Sequence, residues 1–224
     1  ALDRSALPLT RPLDSDTLAS LQQTIQLKRI AGPIVALFAS ARENPRGREA
    51  QIIARISSMT PYHADSSSFF FPLASVLLGM DDIRASFGGS PYGNMGKLYA
   101  SPLLAPRERD DLNRDIQRMA ADPAAQAYAR TWHEATGRFT TPLVTMHNRA
   151  DALVPFAQTL GLRRVAAAAG NLDHLVQFTV PSVSATIPVI GISGLKHCGF
   201  TPQQNRRLFT LIRHWAESGV KPSS

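Results

Sequence analysis

One cysteine, Cys198, is all this chain of 224 residues contains, so no disulfide can form within it and a cysteine-rich zinc site is excluded. Aromatic residues are scarce at 7%, too few for the stacking surface of a single-strand nucleic-acid binder. No apolar run approaches the roughly 20 residues that a membrane-spanning helix needs. The longest, Gly32–Ala39 and Phe69–Met80, are short or broken by Pro72, Ser75 and Gly79. Ala1-Leu2-Asp3-Arg4 carries no signal-peptide apolar core. Ala1 also argues against an N-terminal-nucleophile hydrolase, which needs Ser, Thr or Cys in first position, unless Ala1 is an inactivating substitution. With 44% apolar and 18% charged residues the composition is that of a globular chain, not a disordered one. The formal charge of +7 comes from scattered cations, with pairs such as Arg163-Arg164 and Arg206-Arg207 falling on amphipathic segments. A solvated surface explains them, no nucleic-acid partner is expected, and an acidic partner surface would also fit.

Pro8 and Pro12 mark the first thirteen residues as an extended arm. Helix is expected from Ser15 or Asp16, with Leu18, Leu21, Ile25 and Leu27 at helical spacing. Pro33 to Ala39 is apolar but of ambiguous type, and Arg46 to Met59 reads as a helix with Ile52, Ile53 and Ile56 inward. Thr60 to Ala105 reads as irregular: a serine run, three phenylalanines and the Gly-Gly-Ser-Pro-Tyr-Gly turn at 88–93. Such a loop-rich apolar stretch often covers a pocket. Helices follow over Arg107–Ala120 and, capped by Asp122-Pro123, to about Ala135. From there the pattern becomes strand (Pro142–Met146), helix (between Pro155 and Ala169), strand (His174–Val180), loop, helix. The last helix opens at Thr201-Pro-Gln-Gln with a capping box and ends near Ser218-Gly219. Alternation of this kind predicts an α/β fold with a parallel sheet. Residues 1–138 are then an arm and mostly helical lid or cap, and 139–224 the sheet-bearing part.

Two loops carry the candidate chemistry. His147-Asn-Arg-Ala-Asp151-Ala-Leu-Val-Pro155 follows the first of these strands, and catalytic groups in open α/β sheets collect at strand carboxyl ends. Asp151 there is placed to hold an imidazole. The second loop, Gly194-Leu-Lys-His197-Cys-Gly-Phe-Thr-Pro202, puts a histidine after the last strand and just before the final helix. A lone Asp on a turn is usually a local cap, and a lone His usually a surface or core residue; in this order the two make an acid and a base.

On these residues the chain resembles the C-terminal part of an α/β-hydrolase of the serine esterase and peptidase type. Thr141–Pro155 is similar to that family's acid-bearing turn, and His197–Pro202 to the histidine loop of one bacterial subgroup. Gly88–Asn94 and Ala121–Ala125 are similar to its lid and the helices after it. The resemblance implies that Asp151 orients His197, which takes a serine's proton and returns it to the leaving group. The chain departs from the family in one respect: no segment matches the G-x-S-x-G nucleophile elbow. Gly88-Gly89-Ser90-Pro91-Tyr92 lacks the last glycine, and Gly191-Ile-Ser193-Gly194 follows the acid instead of preceding it.

The implied partner is therefore an N-terminal hydrolase chain that carries the elbow, from a cleaved precursor, with a truncated piece as the other possibility. The implied activity is carboxylic-ester hydrolysis of a small-molecule or polymer ester. A peptidase or amidase of the same fold, or a non-catalytic binding module, are the alternatives. In some tannase-like and feruloyl-esterase-like hydrolases a cysteine beside the nucleophile is joined to one beside the histidine. His197-Cys198 is half of that arrangement, so either an interchain disulfide from Cys198 or a buried free thiol is expected. A processed, disulfide-linked enzyme implies a secreted or periplasmic location. Tyr92 and Phe200 are candidate substrate-binding residues, with Phe69, Phe70 and Phe71 as further candidates for an apolar wall. His63, near Asp65, could line the pocket. His147 reads as structural, and His133, His174 and His214 as non-catalytic. No metal or cofactor is implied.

Overall fold

The computed structural model describes residues 15–223, the side chains of 15–24 and of Leu78 apart. The arm expected over the first thirteen residues lies outside them. Helix α1 (Ser15–Glu43) begins where the sequence indicates and continues through Pro33, so the ambiguous Pro33–Ala39 run is helical. An internal proline removes one rung of the hydrogen-bond ladder. The buried stripe Ala31, Ile34 and Phe38 offsets that loss by packing on neighbouring elements. In α2 (Arg48–Met59), Ile53 is buried, whereas Ile52 is half-buried and Ile56 exposed. Those two border an open cleft shared with Leu112 and Ile116, so of the three isoleucines expected inward only Ile53 joins the core.

The stretch expected to be irregular from Thr60 contains a long helix, α3 (Ser66–Phe87). Asp65 is its N-cap: the carboxylate accepts from the Ser68 amide at 3.0 Å and the Ser68 hydroxyl at 2.8 Å. The serines are thus the helix's buried first turn. Phe70 and Ala74, four residues apart, face the core, and Phe38 meets Phe69 edge-on with centroids 5.2 Å apart. Gly88, at φ 70° in the left-handed region, ends the helix and donates to the Arg84 carbonyl. Within that stretch, irregular chain is left only before Ser66 and after Phe87.

Helix α4 (Pro106–Asp115) stops short of the expected Ala120. The chain leaves it to run beside the Gly88–Asn94 turn. Asn94 donates its amide N–H to the Met119 carbonyl and accepts the Met119 N–H on its side chain at 2.7 Å, and Asp122 donates to the Ser90 carbonyl. Arg118 closes this loop by donating to the Asn94, Lys97 and Asn113 carbonyls. Helix α5 (Pro123–Trp132) starts as the sequence indicates. The Asp122 carboxylate accepts from the Ala124 and Ala125 amides, and proline is the first helical residue.

Strand β1 (Leu143–Asn148), helix α6 (Ala157–Ala168), a 3-10 turn (Leu172–His174) and strand β2 (Leu175–Val180) form a crossover unit. β1 and β2 pair in parallel, Leu143 opposite Leu175 through Asn148 opposite Val180. The segment Pro181–Pro188, read from the sequence as part of a loop, contributes β3 (Ser184–Ile187), which pairs antiparallel with β4 (Ile192–Leu195). Among the described residues this hairpin forms a separate two-stranded sheet. His197 therefore follows this hairpin and not directly the strand His174–Val180, after which the sequence places it.

β4 is held against the start of α3. The Ser66 hydroxyl donates to the Ser193 carbonyl at 2.6 Å and accepts the Ser193 amide at 2.9 Å, and Asp65 accepts the Leu195 amide at 3.2 Å. Ile192, fully buried, completes the core of Ala31, Ile34, Phe38, Ile53, Phe70 and Ala74. Each large side chain buried there contributes roughly 1.5–3 kcal/mol. Helix α7 (Pro202–Ser218) has the expected capping box, Thr201 accepting the Gln204 amide and Gln204 the Thr201 amide. It ends at Gly219, also left-handed. The chain is a mixed α/β protein with short strands in small sheets.

Candidate functional site

Asp151 lies on the turn that leaves β1 and is 3% exposed. Its Oδ1 accepts the Leu153 amide at 2.9 Å and the Val154 amide at 2.8 Å, a local loop that fixes the carboxylate to its own backbone. The turn is tied to the end of β2, since Arg149 donates to the Val180 carbonyl at 2.9 Å and Ala150 to the Ser182 hydroxyl at 2.6 Å. Burial pushes the Asp151 carboxyl upward. The amides of Val154 and Leu153, together with the His197 imidazole, outweigh that and hold it below its ordinary value, so it is an anion at neutral pH.

His197 comes to it from the other loop. Its Nδ1 is 3.0 Å from Asp151 Oδ1 and 3.1 Å from Oδ2, across the interval between the two turns. The imidazole is about one third exposed while the carboxylate is sealed beneath it. β4 sets where this loop begins. Gly194 has φ 148°, and a Cβ there would overlap the Asp65 carboxylate, so only glycine passes α3 at this distance. Lys196 then donates to the Val183 carbonyl at 2.8 Å, and His197 follows.

Cys198 adopts φ 52°, the left-handed region, as the only non-glycine to do so among the described residues. This turns its side chain back over the imidazole, with Sγ 3.2 Å from His197 Nε2. Its amide points to Asp151 Oδ2 at 3.4 Å. The thiol is free and exposed, not buried. Partial desolvation of the sulfur against the imidazole loop and then the negative charge of Asp151 push its pKa up, the opposite of what an activated cysteine nucleophile needs.

No protein-family model, curated protein or solved structure matches the chain.

The structure thus brings Asp151, His197 and Cys198 together. Phe200 is half-buried just beyond them, its amide donating to the Cys198 carbonyl at 2.8 Å. Tyr92 is 58% exposed on the loop that packs beside the start of α5. Phe69 and Phe71 pack against the α1–α3 core and Phe70 belongs to it. His63 is exposed, while Asp65 serves as cap and β4 anchor. The His147 Nδ1 lies 2.7 Å from the Asn148 carbonyl oxygen, and its ring meets Phe156 edge-on. His133 stacks on Phe87 at 4.6 Å. A cavity of about 240 Å³ between the parallel strands and α7 is lined by Met146, Phe178 and Leu208, not by the acid–imidazole pair. Among the described residues no group of three or more His, Cys, Asp or Glu is arranged to hold a metal ion. No described helix is long and apolar enough to cross a membrane.

Two contributors escaped the sequence reading. Asn148, fully buried at the end of β1, directs its amide Nδ2 at Asp151 Oδ2 at 3.4 Å. Asp65 reaches across the fold to β4. A polar residue closing an apolar strand was the available signal for the first, and Asp-Ser-Ser-Ser before phenylalanines for the second.

Chemically, Asp151 makes Nδ1 the protonated nitrogen of a neutral His197 and leaves Nε2 as a basic lone pair. Such an imidazole can take a proton from a hydroxyl and hand it on, with the carboxylate stabilising the imidazolium formed between.

Proposed function

We propose that the chain supplies the acid and base of a serine hydrolase of the α/β-hydrolase type, acting on carboxylic esters by acyl transfer. Asp151 is the acid, His197 the base, and the nucleophilic serine with its elbow belongs to a separate N-terminal chain. The observation that carries this reading is the approach of His197 Nδ1 to both oxygens of a buried, anionic Asp151, with Nε2 facing away from it.

Other features support a partner. Parallel sheets normally have more than two strands and both faces covered. Here β1 and β2 pair with no further strand among the described residues. Leu73, Val76 and Leu77 also form an exposed apolar stripe at helical spacing on α3. On this reading Cys198, exposed beside Nε2, is the thiol that bonds to a cysteine next to the partner's serine. A band that separates into two chains only on reduction is expected if that bond forms.

The test is turnover of an ester by the chain assembled with its partner. His197→Ala should abolish hydrolysis while leaving the thermal transition within a few degrees. An Ala variant that hydrolyses the ester as fast as the original overturns the assignment.

A further inference from the structure

We infer that Asn148 is a positioning residue, its side-chain amide fixing which way the Asp151 carboxylate faces His197. The inference rests on the reading of Asp151 and His197 as acid and base.

The two oxygens of Asp151 are held differently. Oδ1 has two short backbone donors, Leu153 and Val154, at 2.9 and 2.8 Å. Apart from His197, Oδ2 has only two long donors, the Asn148 side-chain amide and the Cys198 backbone amide, both at 3.4 Å. His197 Nδ1 sits between them, nearly equidistant. Rotation of the carboxylate about Oδ1 would carry Oδ2 away from the imidazole. Of the two groups opposing that rotation, the Cys198 amide belongs to the histidine loop, whereas Asn148 lies in β1, paired with Val180 of β2. Asn148 is therefore the fixed reference.

Its own environment agrees with a role beyond filling space. Asn148 is 0% exposed, and its Oδ1 has no hydrogen-bond partner. An unpaired buried carbonyl is unfavourable, and an apolar side chain of the same shape would avoid it. Turning the amide over would not help, because Oδ1 would then face the anionic Oδ2. The amide is thus kept in the one orientation that donates to Asp151, at a cost to stability.

The experiment reads the His197 ring nitrogens by long-range proton–nitrogen NMR in the full chain alone, above the histidine titration. In the original chain neutral His197 should be protonated on Nδ1. In Asn148→Leu, close in volume and without a donor, and in Asn148→Ala, a large share should move to the Nε2-protonated form. Thermal melting identifies which variants are folded, and Asn148→Ala decides if the Leu variant is not. With the partner present, kcat should fall about tenfold to a hundredfold at unchanged KM, the usual scale for a lost supporting contact. An unchanged His197 tautomer in a folded variant overturns the inference. The NMR needs neither partner nor turnover, so it stands apart from the hydrolase reading. If no serine is ever labelled, that reading falls while the tautomer result still decides the role of Asn148.

Discussion

Replacing Asp151 with asparagine keeps the volume of the buried carboxylate and turns one of its two oxygens into a donor. The Leu153 and Val154 amides would hold the remaining oxygen in the Oδ1 position. The new NH2 would then occupy the Oδ2 position, facing His197 Nδ1, the Cys198 amide and Asn148 Nδ2, all of them donors in the original chain. His197 can meet an NH2 only by accepting on Nδ1, which moves its proton to Nε2 and removes the basic lone pair. Wrong-tautomer substitutions of this kind lower kcat by about 10⁴, or roughly 5.4 kcal/mol at 1.36 kcal/mol per tenfold. Stability should suffer less, by about 1–3 kcal/mol for hydrogen bonds that lose an ionised acceptor. The substitution also changes the acid limb of stability. A carboxyl held below its ordinary value stabilises the fold above the unfolded-state pKa, about 3.9, and that contribution disappears as pH falls through the lower folded-state value. The asparagine variant should therefore lose less stability on acidification than the original chain. The assays are ester turnover by the assembled enzyme and urea melts from pH 7 to pH 2. Turnover within tenfold of the original in a folded variant would refute the tautomer argument. Parallel acid limbs would refute the cause assigned to the lowered carboxyl.

Gly194→Ala sets a Cβ against the Asp65 carboxylate at φ 148°. It should cost about 1–3 kcal/mol and lower Tm by roughly 2–12 °C in a domain of this size; an unchanged Tm in calorimetry would contradict the close approach. In the reduced chain alone, alkylation of Cys198 should follow a thiolate curve with its midpoint above the ordinary cysteine value. Partial desolvation and the charge of Asp151 both resist ionisation. Asp151→Ala should shift that midpoint down, and a midpoint that stays put would exclude the carboxylate as a cause.

How much could be read in advance depends on how local each signal is. Asp151 and His197 were legible because each sits in a short loop between recognisable elements, and the Thr201–Gln204 box and the Asp122-Pro123 start are complete within a few residues. Helix α3 was hidden because serine favours caps and turns and Pro72 argues against a helix interior. Only the reach of Asp65 and Ser66 to β4 shows why those serines are buried. The β3–β4 hairpin was masked by Pro181 and Pro188, and its turn needs Gly191 at φ 69°. Asn148 could not be found from spacing, since its meaning lies in a contact with the carboxylate three residues on. Ile56 was misjudged because period alone does not say how wide a helix's buried stripe is.

The central claim is that Asp151 and His197 serve a serine on another chain, and labelling with a fluorophosphonate followed by intact-mass analysis of every polypeptide tests it most directly. The account predicts a label on the partner chain that disappears when His197 is replaced by alanine. A label on this chain, or none with the partner assembled, would contradict it.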